Sequence, residues 1–239
     1  MITGRGLTVW YRRRLALDSV DVRAGSGLHV LLGPNGAGKS TLLRVLAGQL
    51  RSEGTVRIEG PASDRRKAAG TGLMPQEPVL PLHLRLLDYV TYAAWLQGLG
   101  WREATAAAVA ACSQVGLRDR TGDKLSSLSG GMRRRATFAA AVAHRPAVLL
   151  LDEPMSGLDP GQQASLRSLV TSYAAEHCVI LSTHLLQDVE TLEADVHVLH
   201  EGRLTFSGGP SQFLELGEGS AESAYFAALQ RPPRESGSR

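Results

Sequence analysis

The sequence is poor in cysteine and in aromatic residues, and it holds no long apolar run. Cys112 and Cys178 are the two cysteines in 239 residues, and neither stands in a metal-ligand or redox spacing. That excludes a disulfide scaffold and a zinc site, and both residues are expected as buried, reduced thiols of a cytosolic protein. No window approaches the roughly 18 apolar residues needed to cross a bilayer. The opening "MITGRGLTVWYRRR" contains no apolar stretch of signal-peptide length. Any role at a membrane is therefore expected to be played against a separate membrane-embedded partner. The absence of heptads argues against a coiled coil, and there is no internal repeat. Lys and Arg number 26 against 23 Asp and Glu, for a net charge of +3. The basic residues are spread along the chain and leave no stripe for nucleic acid.

What remains is a globular composition, 43% hydrophobic and 21% charged, long enough to bury a sizeable core most simply as one domain. "GLTVWY" and "LALDSVDVRA" alternate apolar and polar residues and read as strands, joined through Arg12–Arg14 at a solvated hairpin end. "GLHVLLG" is a short unbroken apolar run suited to a strand buried on both faces. It feeds into "PNGAGKSTLLRVLAG", a predicted helix with Gly48 as its C-terminal cap. "GTVRIEG" reads as another strand. From Pro81 to Leu117 the chain turns alanine- and leucine-rich without strand-like alternation, so it reads as a helical insertion. Trp95 and Trp101 are expected there as packing residues, with an exposed docking surface as the alternative.

After that insertion, strands and helices alternate again. "AVLLLDEP" is a predicted buried strand, "GQQASLRSLVTSYAAEH" a helix, "CVILST" a strand and "LLQDVETLEA" a helix. "DVHVLHEGRLTFSG" reads as a closing hairpin turning at Glu201–Gly202, and the tail at 231–239 as disordered. The alternation predicts an α/β fold with a parallel-rich sheet covered on both faces.

"GPNGAGKST", Gly33 to Thr41, has the glycine, four residues, glycine, lysine and hydroxyl pattern of a phosphate-binding loop. Glycines let backbone N–H groups turn inward as an anion nest, and the helix N-terminus beyond adds partial positive charge. In such a loop Lys39 reaches the β- and γ-phosphates and Ser40 offers its hydroxyl to Mg²⁺. A strand ending in Asp152 can present a carboxylate to the same ion, and Glu153 follows where a carboxylate can orient an attacking water. His184 ends a core strand, where α/β sheets bind ligands, and can contact the γ-phosphate or the water. His29, His144, His177, His197 and His200 read as structural. On its chemistry alone, Gln76 in "GLMPQEP" is as readily a loop amide as a site residue.

The order "GPNGAGKST", Gln76, "LSGGM", "LLLDEP", "SGLD", "STH" resembles the nucleotide-binding cassette of the ATP-binding cassette (ABC) transporter family, over nearly the whole chain. "LSGGM" resembles the family's signature motif. The resemblance implies a phosphate-loop NTPase core with an antiparallel β portion at the N-terminus and a helical subdomain inserted before the signature. In these terms residues 1–230 form the ATPase domain, with the helical subdomain at about 81–145.

The resemblance further implies two cassettes packed head to tail, with ATP held between one phosphate loop and the other's signature. That accounts for a second glycine-rich helix opening at Ser129, Gly130 and Gly131, since a helix N-terminus is an anion site. Carried over residue by residue, it assigns ATP to Gly33, Pro34, Asn35, Gly36, Ala37, Gly38, Lys39, Ser40 and Thr41. Mg²⁺ falls to Ser40, Gln76 and Asp152, the general base to Glu153, the γ-phosphate contact to His184 and communication across the dimer to Asp159. Tyr11 matches the aromatic that stacks on adenine, with Trp10 as its competitor on the other side of the strand. The second cassette is either another copy or a different chain.

The implied partner is a separate transmembrane permease, with the cassette peripheral on the cytoplasmic face of the membrane and no nucleic acid bound. Met132 departs from the glutamine that usually ends the signature. With "MPQ" and "STHLLQDVE" it is more similar to cassettes of ABC-2 type exporters. The alternative is a soluble cassette ATPase that remodels nucleic acid or ribosomes, but such relatives carry tandem cassettes or long coiled coils, and neither is present.

Overall fold

The unbroken apolar runs become the middle of a six-stranded sheet in the computed structural model, which describes residues 1–59 and 70–231. Its strands are β3 (Gly27–Leu32), β5 (Thr71–Met74), β6 (Val148–Asp152), β7 (Cys178–Thr183), β8 (Asp195–His200) and β9 (Arg203–Gly208). They lie in the order β5-β6-β7-β3-β8-β9, parallel except for the final antiparallel pair. A second, antiparallel sheet pairs β1 (Ile2–Tyr11) with β2 (Arg14–Ala24) and β4 (Glu53–Ile58).

Both faces of the central strands are covered, which is why their sequences do not alternate. Leu149 and Leu151 pack into one apolar cluster, and Val148 and Leu150 into another. The second cluster lies under the antiparallel sheet and α1 (Lys39–Leu46). The first is roofed by α2 (Leu86–Leu96), α3 (Trp101–Gln114), α4 (Gly130–Val142) and α5 (Pro160–Ala174). After α1, Gly48 takes φ +69°, the left-handed setting of a glycine that stops a helix. Cys112 and Cys178 are buried and unbridged, and burial pushes both thiols up to about 11.

The parallel register sets the site. Leu32 pairs with Thr183, Asp152 with Ser182 and Met74 with Leu151, so the loops after β3, β5, β6 and β7 leave one edge side by side. The hairpin between β8 and β9 turns at Glu201 (φ +46°) and Gly202 (φ +77°), a pair of left-handed residues suited to a tight two-residue turn. Its tip braces the phosphate loop from behind: Gly202 donates its N–H to the Ala37 carbonyl at 2.9 Å and accepts from the Asp18 N–H at 2.9 Å.

Two features differ from the expectations and a third lies beyond them. The first strand begins at Ile2, ahead of the alternating stretch. The segment after β9 carries α7 (Pro210–Glu215) and α8 (Ala221–Leu229), which follow α6 (Leu186–Thr191). Such short helices draw their stability from packing, here through buried Phe213, Ala224 and Ala228, and not from propensity. Trp95 and Trp101 do not pack into the core. They are 45% and 58% exposed and stack edge-on against each other, because the small residues Ala94, Ala104 and Ala108 occupy the buried face of the helix pair. Beyond Arg231, the expected tail lies outside the described residues.

His29 on β3 is buried, lies 3.3 Å from His197, which in turn contacts Ser207 Oγ at 2.9 Å, and stands 3.6 Å from Asp195. Burial lowers its pKa, while Asp195 and the Gly25 carbonyl pull the other way. The unfolded chain therefore takes up this proton first, and stability falls as pH drops below about 6.5. His29→Gln is expected to flatten the decline in thermal midpoint between pH 7.5 and 5.5, measured by calorimetry.

Candidate active site

The loop after β3 folds back on itself before α1 begins. Gly36 and Gly38 take φ +82° and +108°, settings that glycine adopts without strain. A side chain at Gly38 would also press within 2.6 Å of the Ala16 carbonyl oxygen, and one at Gly33 would meet the Leu199 carbonyl. The motif's glycines are thus required by both conformation and space. Lys39 is 5% exposed and donates to the Gly33 carbonyl at 2.7 Å and the Pro34 carbonyl at 3.2 Å. The loop borders a cavity of about 670 Å³ lined by Tyr11, Arg14, Asn35, Lys39, Ser40 and Glu153, among others. Tyr11, and not Trp10, is on that wall.

Glu153 is the hub. One carboxylate oxygen lies 3.4 Å from Lys39 Nζ, and the other accepts from Gln76 Nε2 at 3.4 Å and contacts His184 Nδ1 at 3.1 Å. Lys39 at the start of α1 and residues from the loops after β5 and β7 thus meet on the carboxylate that follows β6. Glu153 itself takes φ +44°, a left-handed setting that costs a non-glycine residue of order 1–3 kcal/mol. Its N–H is held by the carbonyl and hydroxyl of Ser182, at 3.2 and 3.0 Å. Ser182 Oγ in turn donates to Asp152 Oδ1 at 2.7 Å, which fixes the 4%-exposed carboxylate one residue before.

The glycine-rich opening of α4 is not brought to this cavity. Ser129 caps α4 by accepting from the Met132 N–H at 3.3 Å, and lines a second cavity with Gly131, Met132, Asp159 and Gln162. Asp159 caps α5 through the Gln162 N–H at 2.9 Å. The space over Gly130 is open within 4 Å, whereas a side chain on Gly131 would strike Gln162. Met132, in place of the usual glutamine, packs against the core cluster under α4. Sequence reasoning passed over Ser182, Arg14 and Arg134. Ser182 opens the "STH" stretch that ends two residues on in His184, and Arg14 and Arg134 stand in arginine runs whose members look interchangeable.

The ABC transporter family model matches residues 17–156. The chain belongs to the ABC transporter family. This cassette is similar to the retinal-specific phospholipid-transporting ATPase ABCA4 of Mus musculus, 34% identical over 75% of the chain and 8% of that protein. It is also similar to the Nod factor export ATP-binding protein I of Mesorhizobium japonicum, 32% identical over 88% of the chain and 64% of that protein. It therefore spans less than two thirds of the length of either relative. Among solved structures, an ATP-binding subunit of an ABC transporter superposes with a TM-score of 0.81 over 96% of this chain and all of that one, at 24% identity. That likeness establishes the phosphate-loop NTPase fold. Family membership makes the cassette a nucleotide-binding ATPase domain, and ATP-binding subunits of this family dimerise and work with membrane subunits. No helix among the described residues is long and apolar enough to cross a membrane.

Proposed function

We propose that this cassette hydrolyses ATP to drive a separate membrane-spanning exporter subunit, from the cytoplasmic face of the membrane. The observation that carries the reading is the meeting of Lys39, Gln76 and His184 on the Glu153 carboxylate beside the phosphate loop. In this reading the loop N–H groups and Lys39 bind the β- and γ-phosphates, and Tyr11 stacks on adenine. Glu153 takes the proton of the attacking water, while His184 contacts the γ-phosphate. With nucleotide present, Lys39 exchanges its contact with Glu153 for phosphate oxygens, which frees the carboxylate for the water.

The oxygens of Ser40, Asp152 and Gln76 are hard donors of the kind Mg²⁺ prefers. Such an ion supplies charge neutralisation on the phosphates.

Ser129, Gly130 and Gly131 complete the site from a second cassette, either another copy or a different chain, and Asp159 communicates across that junction. The separation of Ser129 and Asp159 from the cavity of Lys39 supports this trans arrangement. Residues 1–230 act as one ATPase domain, within which a helical subdomain at about 81–145 receives the membrane partner. Similarity to the Nod factor export protein of Mesorhizobium japonicum supports export over the alternative of a soluble remodelling ATPase.

Two experiments test the reading. Affinity purification from native membranes is expected to recover a multi-span protein, whereas recovery of ribosomes would overturn the transport role. In that complex, Gln76→Ala is expected to lower transport by about 5–150-fold, the range of a typical coupling contact. Equilibrium ATP binding should change little, and equal losses in both would make Gln76 a nucleotide ligand only.

A further inference from the structure

Arg134 lies within the first turns of α4, outside the residues given a role above. Its guanidinium donates from all three nitrogens: Nε to the Pro154 carbonyl at 2.8 Å, Nη1 to the Gln76 carbonyl at 2.6 Å, and Nη2 to the Glu153 carbonyl at 2.6 Å. The acceptors belong to two separate loops, one after β5 and one after β6, and the donor belongs to the helix that Ser129 opens. A planar fork can serve three diverging carbonyls at once, whereas a lysine ammonium presents a single point. Its neighbour Arg135 turns away, to the Val115 carbonyl at 3.0 Å. Arg134 and Arg135 are therefore not equivalent.

The contact with Glu153 falls on a residue whose backbone is in the left-handed region, φ +44°. Ser182 holds the N–H side of that residue from β7, and Arg134 holds the carbonyl side from α4. Such a setting persists only where the surroundings over-determine it. One of its two clamps is thus carried by a helix that also packs on α2 and α3.

We propose that Arg134 is a positioning residue that makes the setting of Glu153 and Gln76 depend on the position of helix α4. A shift of the helical insertion then reaches the water-activating carboxylate through one guanidinium, without crossing the nucleotide. This rests on the reading of Glu153 as general base and Gln76 as the partner-facing amide. It adds a physical link between the signature helix and hydrolysis within the same cassette.

Arg134→Met, which keeps much of the stem and removes the fork, tests the link in the full chain. Amide hydrogen exchange without nucleotide is expected to accelerate by about tenfold or more in peptides covering 75–77 and 153–156, and to stay unchanged over 136–142 of α4. In steady-state ATP hydrolysis, kcat is expected to fall by about tenfold or more with little change in KM, the pattern of a misplaced catalytic group. Methylguanidinium added to Arg134→Ala should recover part of kcat. Unchanged exchange at the two loops would overturn the proposal, as would a uniform rise along α4 accompanied by matching losses in kcat and affinity. Because the exchange is read without ATP, it decides the positioning role even if the parent chain hydrolyses none. That last result would count against the proposed function instead.

Discussion

Glu153→Gln is expected to leave ATP bound and almost unhydrolysed. General-base catalysis contributes roughly 10²–10⁴-fold, and the amide keeps the shape of the carboxylate while losing the charge that draws the water's proton. The phosphate loop is untouched, because Lys39 reaches the Gly33 and Pro34 carbonyls independently of Glu153. Removing a negative charge beside the γ-phosphate also lessens repulsion in the closed state. The variant should therefore collect as an ATP-bound dimer, seen as an earlier peak in size-exclusion chromatography with Mg-ATP. Hydrolysis near the parental rate would remove Glu153 from the chemistry. An inactive variant that stays monomeric at saturating ATP would point to a different cassette as the partner.

Lys39→Ala should fail earlier, at binding. A hydrogen bond to a charged group is worth about 1.5–3 kcal/mol, and two such contacts to phosphates make about 3 kcal/mol or more, roughly 100-fold or more in ATP affinity. The loss is compounded here because the lysine is buried and spans the loop. Without it, the Gly33 and Pro34 carbonyls lose their shared donor, and the Glu153 carboxylate loses its cation at 3.4 Å. Titration with a fluorescent ATP analogue measures the change directly. The two variants should separate cleanly, with Glu153→Gln tight and inactive and Lys39→Ala weak and inactive. Equal ATP affinities would contradict the role given to the lysine.

The parts of this fold that were legible in the sequence are those where one local pattern admits one physical solution. An unbroken run such as "AVLLLDEP" is explained by burial on both faces, and the structure places Leu149 and Leu150 in opposite clusters. The phosphate loop was readable because its glycines answer to local geometry: Gly38 is held at φ +108° against the Ala16 carbonyl. The turn at Glu201–Gly202 was readable for a similar reason. Features that depend on distant segments were not. Short α7 and α8 exist through what they pack against, and no periodicity of six to nine residues announces that. The exposure of Trp95 and Trp101 follows from alanines taking the buried face, which residue type alone does not settle. Arg134 was hidden for another reason: three adjacent arginines look alike until the carbonyls of Gln76, Glu153 and Pro154 are found around the middle one.

The central claim is that the ATP site of one cassette is completed by the signature of another. Its most direct test mixes two inactive variants, Lys39→Ala and Ser129→Arg, and measures ATP hydrolysis. The first lacks a working phosphate loop and keeps its signature. The second keeps the loop and blocks the anion-binding end of α4, which in the same chain lines a different cavity. In a twofold pairing about half of the dimers are mixed and each holds one intact composite site, so the mixture should regain about a quarter of parental activity. ATP-dependent dimers that form from the mixture and hydrolyse no more ATP than the parents alone would contradict the account.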